Sequence, residues 1–198
     1  MSEKVIVVAS TNAGKIREFK EMLEPEGYTV KSLADFEDMP EIEENGTTFR
    51  ENAVIKANAV TQRYGIMAIS DDSGLEIDAF DKKPGVHSAR WLGHDTPYES
   101  KNQTILEMMK DVKDRTCRYV CAIAITRKGY EPVVFEDSVE CVIATKPEGE
   151  NGFGYDPIIY YEPYQKTMAQ MSKDEKNGIS HRGKAVRKLE AWLKNENL

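Results

Sequence analysis

Val5-Ile6-Val7-Val8-Ala9 runs without interruption into Ser10-Thr11-Asn12-Ala13-Gly14-Lys15, and these eleven residues decide the fold class. Five apolar residues with no polar alternation read as a strand covered on both faces, as the inner strands of an α/β sheet are. After the loop, Ile16, Phe19, Met22 and Leu23 recur at helical spacing, and Pro25 with Gly27 closes that helix. A strand, a small polar loop and a helix start form an anion site, because free amides and the helix dipole both favour negative charge. Lys15 adds a point charge there. A Walker A loop is excluded, since it needs a glycine at position 9 and a hydroxyl at position 16, where Ala9 and Ile16 stand. Ordinary helix capping by Ser10 to Lys15 is the alternative.

Working outward, the next stretch with chemistry is Ile69-Ser70-Asp71-Asp72-Ser73-Gly74-Leu75, which places two adjacent carboxylates and a hydroxyl where an apolar strand, Ile66 to Ile69, ends. Neighbouring side chains on extended backbone point to opposite faces, so Asp71 and Asp72 do different jobs, one anchoring a turn and the other facing a ligand. Oxygen ligands of this kind suit Mg2+, which keeps several waters and commonly bridges one or two carboxylates to substrate phosphates. An Asx turn closed by Ser73 and Gly74 is the structural alternative.

Length and charge set limits. A chain of 198 residues fits one domain, since domains usually run to roughly 100 to 200 residues. With 31% charged residues and a formal net charge of -7, nonspecific attraction to a nucleic-acid backbone is a poor fit. A small anionic substrate fits if lysines and a metal are concentrated locally. The cysteines Cys117, Cys121 and Cys141 are odd in number and follow no signal peptide, which points to a reducing cytoplasm and buried, inert thiols. No apolar run approaches the roughly 20 residues that span a bilayer.

Tyr28 to Leu33 reads as a second strand, followed by an acidic segment, Phe36 to Glu44, most of it solvated. Glu43 stands apart, because Gly46 turns the chain and a helix begins at Thr47 or Thr48. That helix turns Phe49, Ala53, Val60 and Tyr64 inward, with Asn52, Lys56 and Arg63 on a neighbouring polar stripe. Lys56 can reach a phosphate or simply be solvated. Leu75 to Phe80 alternates as a half-exposed strand, Pro84-Gly85 turns the chain towards His87 and Arg90, and Ile105, Leu106 and Met109 mark another helix. Tyr119 to Thr126 and Val133 to Thr145 form an antiparallel pair, so the sheet is mixed.

Further on, Gly149, Gly152 and Gly154 flank Phe153, Tyr155, Asp156 and Pro157, a loop where backbone can approach a ligand and an aromatic face can stack on it. Ser172 to Glu175 has the form of a capping box. Ser180 caps the final helix, whose buried stripe is Val186, Leu189 and Trp192 or Leu193. This puts His181 and Arg182 in its first turn with Lys176 upstream, three donors suited to an oxygen acceptor.

In order, STNAGK at Ser10 to Lys15, EENGTTFRENAVIKA at Glu43 to Ala57, SDDSGLEIDA at Ser70 to Ala79, PGVHSARWLG at Pro84 to Gly93, GFGYDPI at Gly152 to Ile158 and SHRGKA at Ser180 to Ala185 resemble the inosine triphosphate pyrophosphatase, or Ham1-like, family. The likeness runs nearly end to end, across a single domain of residues 1–198. It implies an α/β fold, a mixed twisted sheet flanked by helices with two lobes around a central substrate cleft, and a cytoplasmic homodimer. It also implies Mg2+-dependent hydrolysis of non-canonical purine nucleoside triphosphates (dITP, ITP, XTP) to monophosphate and pyrophosphate, which clears deaminated purines from the nucleotide pool.

Placed on this chain, the family's roles make Asp72 the proton acceptor and a metal ligand, with Glu43 helping to hold the metal. Ser10, Thr11, Asn12, Ala13, Gly14 and Lys15 would hold the triphosphate, with Lys56 as an added phosphate contact. Ser73, Phe153, Gly154, Tyr155, Asp156, Lys176, His181 and Arg182 would position sugar and base. Two other functions compete. The Maf-like pyrophosphatases share the broad architecture but favour modified pyrimidines, and the GFGYDP and SHRGKA blocks speak against them. A nucleotide sensor that never hydrolyses its ligand has little use for the second carboxylate at Asp71-Asp72.

Overall fold

The computed structural model describes residues 4–195, so both ends of the expected 1–198 span lie outside the described residues. Strand β1 (Lys4–Val8) lies between β2 (Tyr28–Ser32) and β3 (Met67–Ile77) and runs parallel to both. Parallel neighbours need long crossovers, and helices α1 (Ala13–Leu23) and α2 (Phe49–Tyr64) supply them. The sheet continues through β4 (Thr116–Thr126), β5 (Val133–Ile143), β6 (Ile159–Tyr161) and β7 (Lys166–Thr167), in the order β2-β1-β3-β4-β5-β6-β7. The pairs β5–β6 and β6–β7 are antiparallel. Adjacent strands β4 and β5 are joined by residues 127–132 alone, too short a link for a parallel crossover. The sheet is therefore mixed, as the sequence predicts. Helices α3 (Tyr98–Met108), α4 (Lys173–Ile179) and α5 (His181–Asn195) complete the fold.

The chain divides into two compact units, each assembled from separate segments. The first holds Met1–Asp72, Ala122–Glu136 and Ala185–Leu198. Its buried side chains include Ile6, Val7 and Val8 of β1, Phe19 and Leu23 of α1, and Ala53, Ala57 and Val60 of α2. The second holds Ser73–Cys121 and Asp137–Lys184, around a core that includes Leu75, Ile77, Ile105, Met109, Tyr155, Ile158 and Met168. Among the described residues no helix is long and apolar enough to cross a membrane.

Two sequence expectations move by a position or so. Tyr64 is half-buried rather than core, because its hydroxyl donates to Asp38 at 2.8 Å and its ring lies against Phe36. In α5 the buried residues are Ala185, Leu189 and Leu193, at a strict spacing of four, while Val186 and Trp192 are only half-buried. The three cysteines are free and buried. Burial pushes the Cys141 thiol up to about 12 and the Cys117 thiol higher still, so neither is a nucleophile near neutral pH.

The second unit contains a charge network centred on Arg118. Its guanidinium grips Asp78 through two bonds of 3.1 and 3.0 Å and donates through Nε to Glu140 at 3.0 Å. Asp78 also takes Lys82 at 2.7 Å and Thr116 at 2.8 Å. These bonds, Arg118 first, hold the Asp78 carboxyl well below its ordinary 3.8. A carboxylate depressed in the folded state stabilises above the unfolded value and loses that contribution as pH falls through the folded one. Arg118→Met should therefore cost about 1 kcal/mol at pH 7, the partly exposed setting having been allowed for. Below about pH 4 the gap between variant and parent should narrow. Denaturant melts over that range check it, and parallel stability curves would show that the network does not set acid stability.

Candidate functional site

The two adjacent acids do not sit at a turn. Ser73 and Gly74 favour a turn locally, yet β3 continues unbroken to Ile77 because it is an inner strand with neighbours on both sides in the sheet, so its backbone groups are better satisfied by extension. Alternation along the strand then separates the two carboxylates as expected. Asp71, almost fully buried, meets Lys15 at 3.0 Å. On the other face, Asp72 accepts a hydrogen bond from the Asn52 amide at 3.1 Å and lies 3.8 Å from the Lys56 ammonium.

The first unit brings three elements to these acids. Asn12 caps α1, its side-chain oxygen accepting from the amides of Gly14 and Lys15 at 2.9 and 3.1 Å, and Ser10 Oγ accepts from the Asn12 amide at 3.1 Å. Helix capping, the alternative reading of this loop, is thus realised; the helix start keeps its positive field, while the Lys15 charge is paired with Asp71. Thr48 and Glu51 form a capping box that starts α2, and Gly65 in the left-handed region ends it. On α2, Asn52 and Lys56 stand one turn apart and so point the same way. The Asn52 carbonyl accepts from the Gly46 amide at 2.8 Å, tying the preceding loop to the helix. Lys56 pairs at 3.0 Å with Glu44, while Glu43 is exposed.

Burial raises the Asp72 carboxyl above its ordinary value, partly countered by Lys56 and by the Asn52 bond. Such a carboxylate is a better proton acceptor than a solvated one. Ser70, two residues earlier on the same strand face, buries a hydroxyl with no hydrogen-bond partner among the described residues. A buried hydroxyl without a partner is uncommon in native structures.

The second unit gathers the remaining candidates around one carboxylate. Asp156 is only 2% exposed. Its Oδ2 accepts from the Phe153 amide at 2.9 Å and from Lys176 at 2.5 Å, and its Oδ1 from the Tyr119 hydroxyl at 3.1 Å. Gly152 lies so close to Asp156 that any β-carbon would collide with the carboxylate, and its φ of 76° excludes most other residues anyway. The Asn102 amide donates to the Gly154 carbonyl at 3.0 Å, holding the loop from beneath. Phe153 is left 68% exposed, with the Lys176 ammonium 5.5 Å from its ring centre.

Tyr155 is buried and donates to the Ser88 carbonyl at 2.6 Å, so its side chain supports the loop rather than lying on its outer surface. In the first turn of α5, capped by Ser180, the His181 imidazole stacks on Tyr119 with ring centres 4.9 Å apart. Arg182 donates to Ser73 Oγ at 3.3 Å.

The profile of the Ham1 family matches residues 6–192, taking in both sets of residues. The chain belongs to the Ham1 family. It is 44% identical to the dITP/XTP pyrophosphatase of Halalkalibacterium halodurans, with 94% of this chain and 97% of that protein covered. It is 47% identical to the dITP/XTP pyrophosphatase of Bacillus subtilis, with 96% and 97% covered. The structure of the Staphylococcus aureus Ham1 protein superposes with a TM-score of 0.93 at 40% identity, covering 98% of this chain and 100% of that one.

Three residues of this Ham1 chain escape a reading of the sequence. Asn52 looks like part of a solvated stripe but is fully buried against Asp72; its spacing of four from Lys56 is a signal that could have found it. Glu44 is indistinguishable in sequence from the acids around it. Tyr119 reads only as a strand residue, although a buried tyrosine hydroxyl ordinarily needs a partner.

Proposed function

We propose that this chain hydrolyses dITP, ITP and XTP between the α- and β-phosphates, releasing the nucleoside monophosphate and pyrophosphate, and that Mg2+ is its cofactor. The observation that supports this best is Asp72, a buried carboxylate whose two oxygens are distinguished by Asn52 and Lys56, one residue from the Lys15–Asp71 pair. The likeness to dITP/XTP pyrophosphatases over nearly the whole chain supports the same substrates.

The donor set is hard oxygen, as Mg2+ requires, while among the described residues no group of three or more His, Cys, Asp or Glu is placed to hold a metal by itself. One or two carboxylates plus water is the ordinary Mg2+ arrangement. Asp72 would hold the ion, with Glu43, the neighbour of the acid that Lys56 ties to the site. When bound, the ion neutralises charge on the triphosphate and eases approach of an attacking water. Asp72 takes that water's proton, and the chain otherwise supplies positioning and positive charge, as phosphoryl chemistry demands. Ser10 to Lys15 and Lys56 take the phosphates. Ser73, Phe153 to Asp156, Lys176, His181 and Arg182 take sugar and base. Residues 1–198 work as one catalytic domain on this reading, and a cytoplasmic homodimer belongs to it.

With dITP and Mg2+, purified protein should form dIMP and pyrophosphate in equal amounts, and chelation of the metal should stop both. Chromatography of the nucleotides and an enzymatic pyrophosphate assay decide it. Orthophosphate with dIDP instead would place cleavage at the terminal phosphate and remove the proposal.

A further inference from the structure

We propose that Tyr119 is a positioning residue for base recognition, one side chain on a rigid strand that fixes both Lys176, through Asp156, and His181, through its ring. The hydroxyl and the ring face different partners. Through the hydroxyl it donates to Asp156 Oδ1 at 3.1 Å, while Oδ2 takes Lys176 and the Phe153 amide. Three donors around one buried carboxylate leave it no freedom to rotate, so the Lys176 ammonium is held at a fixed point beside the exposed Phe153 ring. Through the ring it underlies the His181 imidazole, with 23° between the planes.

The mechanical logic follows from where these residues stand. Lys176 and His181 belong to α4 and to the first turn of α5, and long or end-of-helix side chains are poorly fixed by themselves. Tyr119 belongs to β4, which has a neighbour on each side in the sheet. A binding group is precise when a rigid element behind it sets its rotamer. Burial and the Asp156 charge hold the Tyr119 phenol well above its ordinary value, so it remains a donor throughout the working pH range.

This inference rests on Lys176 and His181 acting as base-reading groups, and a plain core tyrosine would give different results. Tyr119→Phe keeps the ring under His181 and deletes only the bond to Asp156. KM for dITP should rise by up to about tenfold, the size reached if the worth of that bond to a charged group goes into holding Lys176 in place, while kcat stays within about twofold and dATP, which gains nothing from these donors, is unaffected. The preference for dITP over dATP should fall by the same factor. Tyr119→Leu removes the ring as well and should lower the preference further. In 15N-labelled protein without nucleotide, the Lys176 ammonium resonance should move in both variants and the His181 ring resonances chiefly in Tyr119→Leu, with neither moving in a Tyr130→Phe control.

A variant that melts earlier yet keeps KM, selectivity and both sets of resonances would overturn the positioning role and leave Tyr119 a packing residue. A drop in kcat at unchanged KM would also overturn it. If the parent protein hydrolyses no dITP, the functional proposal fails by itself; the resonances then decide the positioning role, and unmoved Lys176 and His181 signals refute it.

Discussion

Asp72→Asn should lower kcat on dITP by about a thousandfold, while binding of the triphosphate stays within a few-fold of the parent. The size follows from the role: a positioned proton acceptor contributes roughly 10²- to 10⁴-fold, and an amide of the same shape cannot take the water's proton. The selectivity for kcat follows from the geometry. Lys15 is held by Asp71, on the opposite face of the strand, and the Asn12 cap does not involve Asp72, so the loop proposed to hold the triphosphate survives the change. Folding should survive as well. The substitution removes a charge whose burial is unfavourable, and the Asn52 amide at 3.1 Å still finds an oxygen to donate to. Single-turnover kinetics, with a separate binding titration against a non-hydrolysable dITP analogue, separates the two effects. A variant that turns over within tenfold of the parent would strip Asp72 of the role and leave Asp71 to be tested in its place.

The second large effect is selection of the base. At equal concentration, kcat/KM for dITP should exceed that for dATP by about a hundredfold or more. On the proposed reading a 6-oxo purine accepts from His181 and Arg182, whereas adenine presents a 6-amino donor and offers them no acceptor. Each buried unpaired group costs about 1 to 3 kcal/mol, and two such costs give a factor of that size. Their settings suit the task, since the imidazole rests on Tyr119 and the guanidinium is directed by Ser73. His181→Leu or Arg182→Met should each reduce the preference about tenfold, chiefly by raising KM for dITP. A competition assay with both nucleotides in one tube reads the ratio directly. Equal rates on dITP and dATP would remove base reading by this helix start and limit the chain to an unselective pyrophosphatase.

Much of the site was legible because it depends on local chemistry. Asn12 before a run of helical residues, Ser172 with Glu175, and Ser180 ahead of α5 each cap the helix that the sequence places after them. The opposite facing of Asp71 and Asp72 follows from strand geometry alone and holds even though the turn expected there is absent. That turn fails for a nonlocal reason. Ser73-Gly74 would bend an isolated peptide, but strands on both sides of β3 supply hydrogen bonds that a bend would forfeit. Exposure was the less readable property. Glu43 and Glu44 are adjacent acids, and only the fold shows which of them meets Lys56.

The order of apolar strand, polar loop and capped helix, together with the blocks Ser10–Lys15, Ser70–Ala79, Gly152–Ile158 and Ser180–Ala185, determined the α/β class and the family, because those features are written in neighbouring residues. Only the tertiary structure decided that Asn52 is buried on Asp72, that β3 runs straight through its two acids, and that Asp156 gathers Tyr119, Lys176 and the Phe153 amide around itself. Those partners lie 20 or more residues apart in the chain, save the Phe153 amide three residues away. Spacing along a sequence fixes which residues share a helix or strand face, but pairing across such gaps is set by how the elements pack.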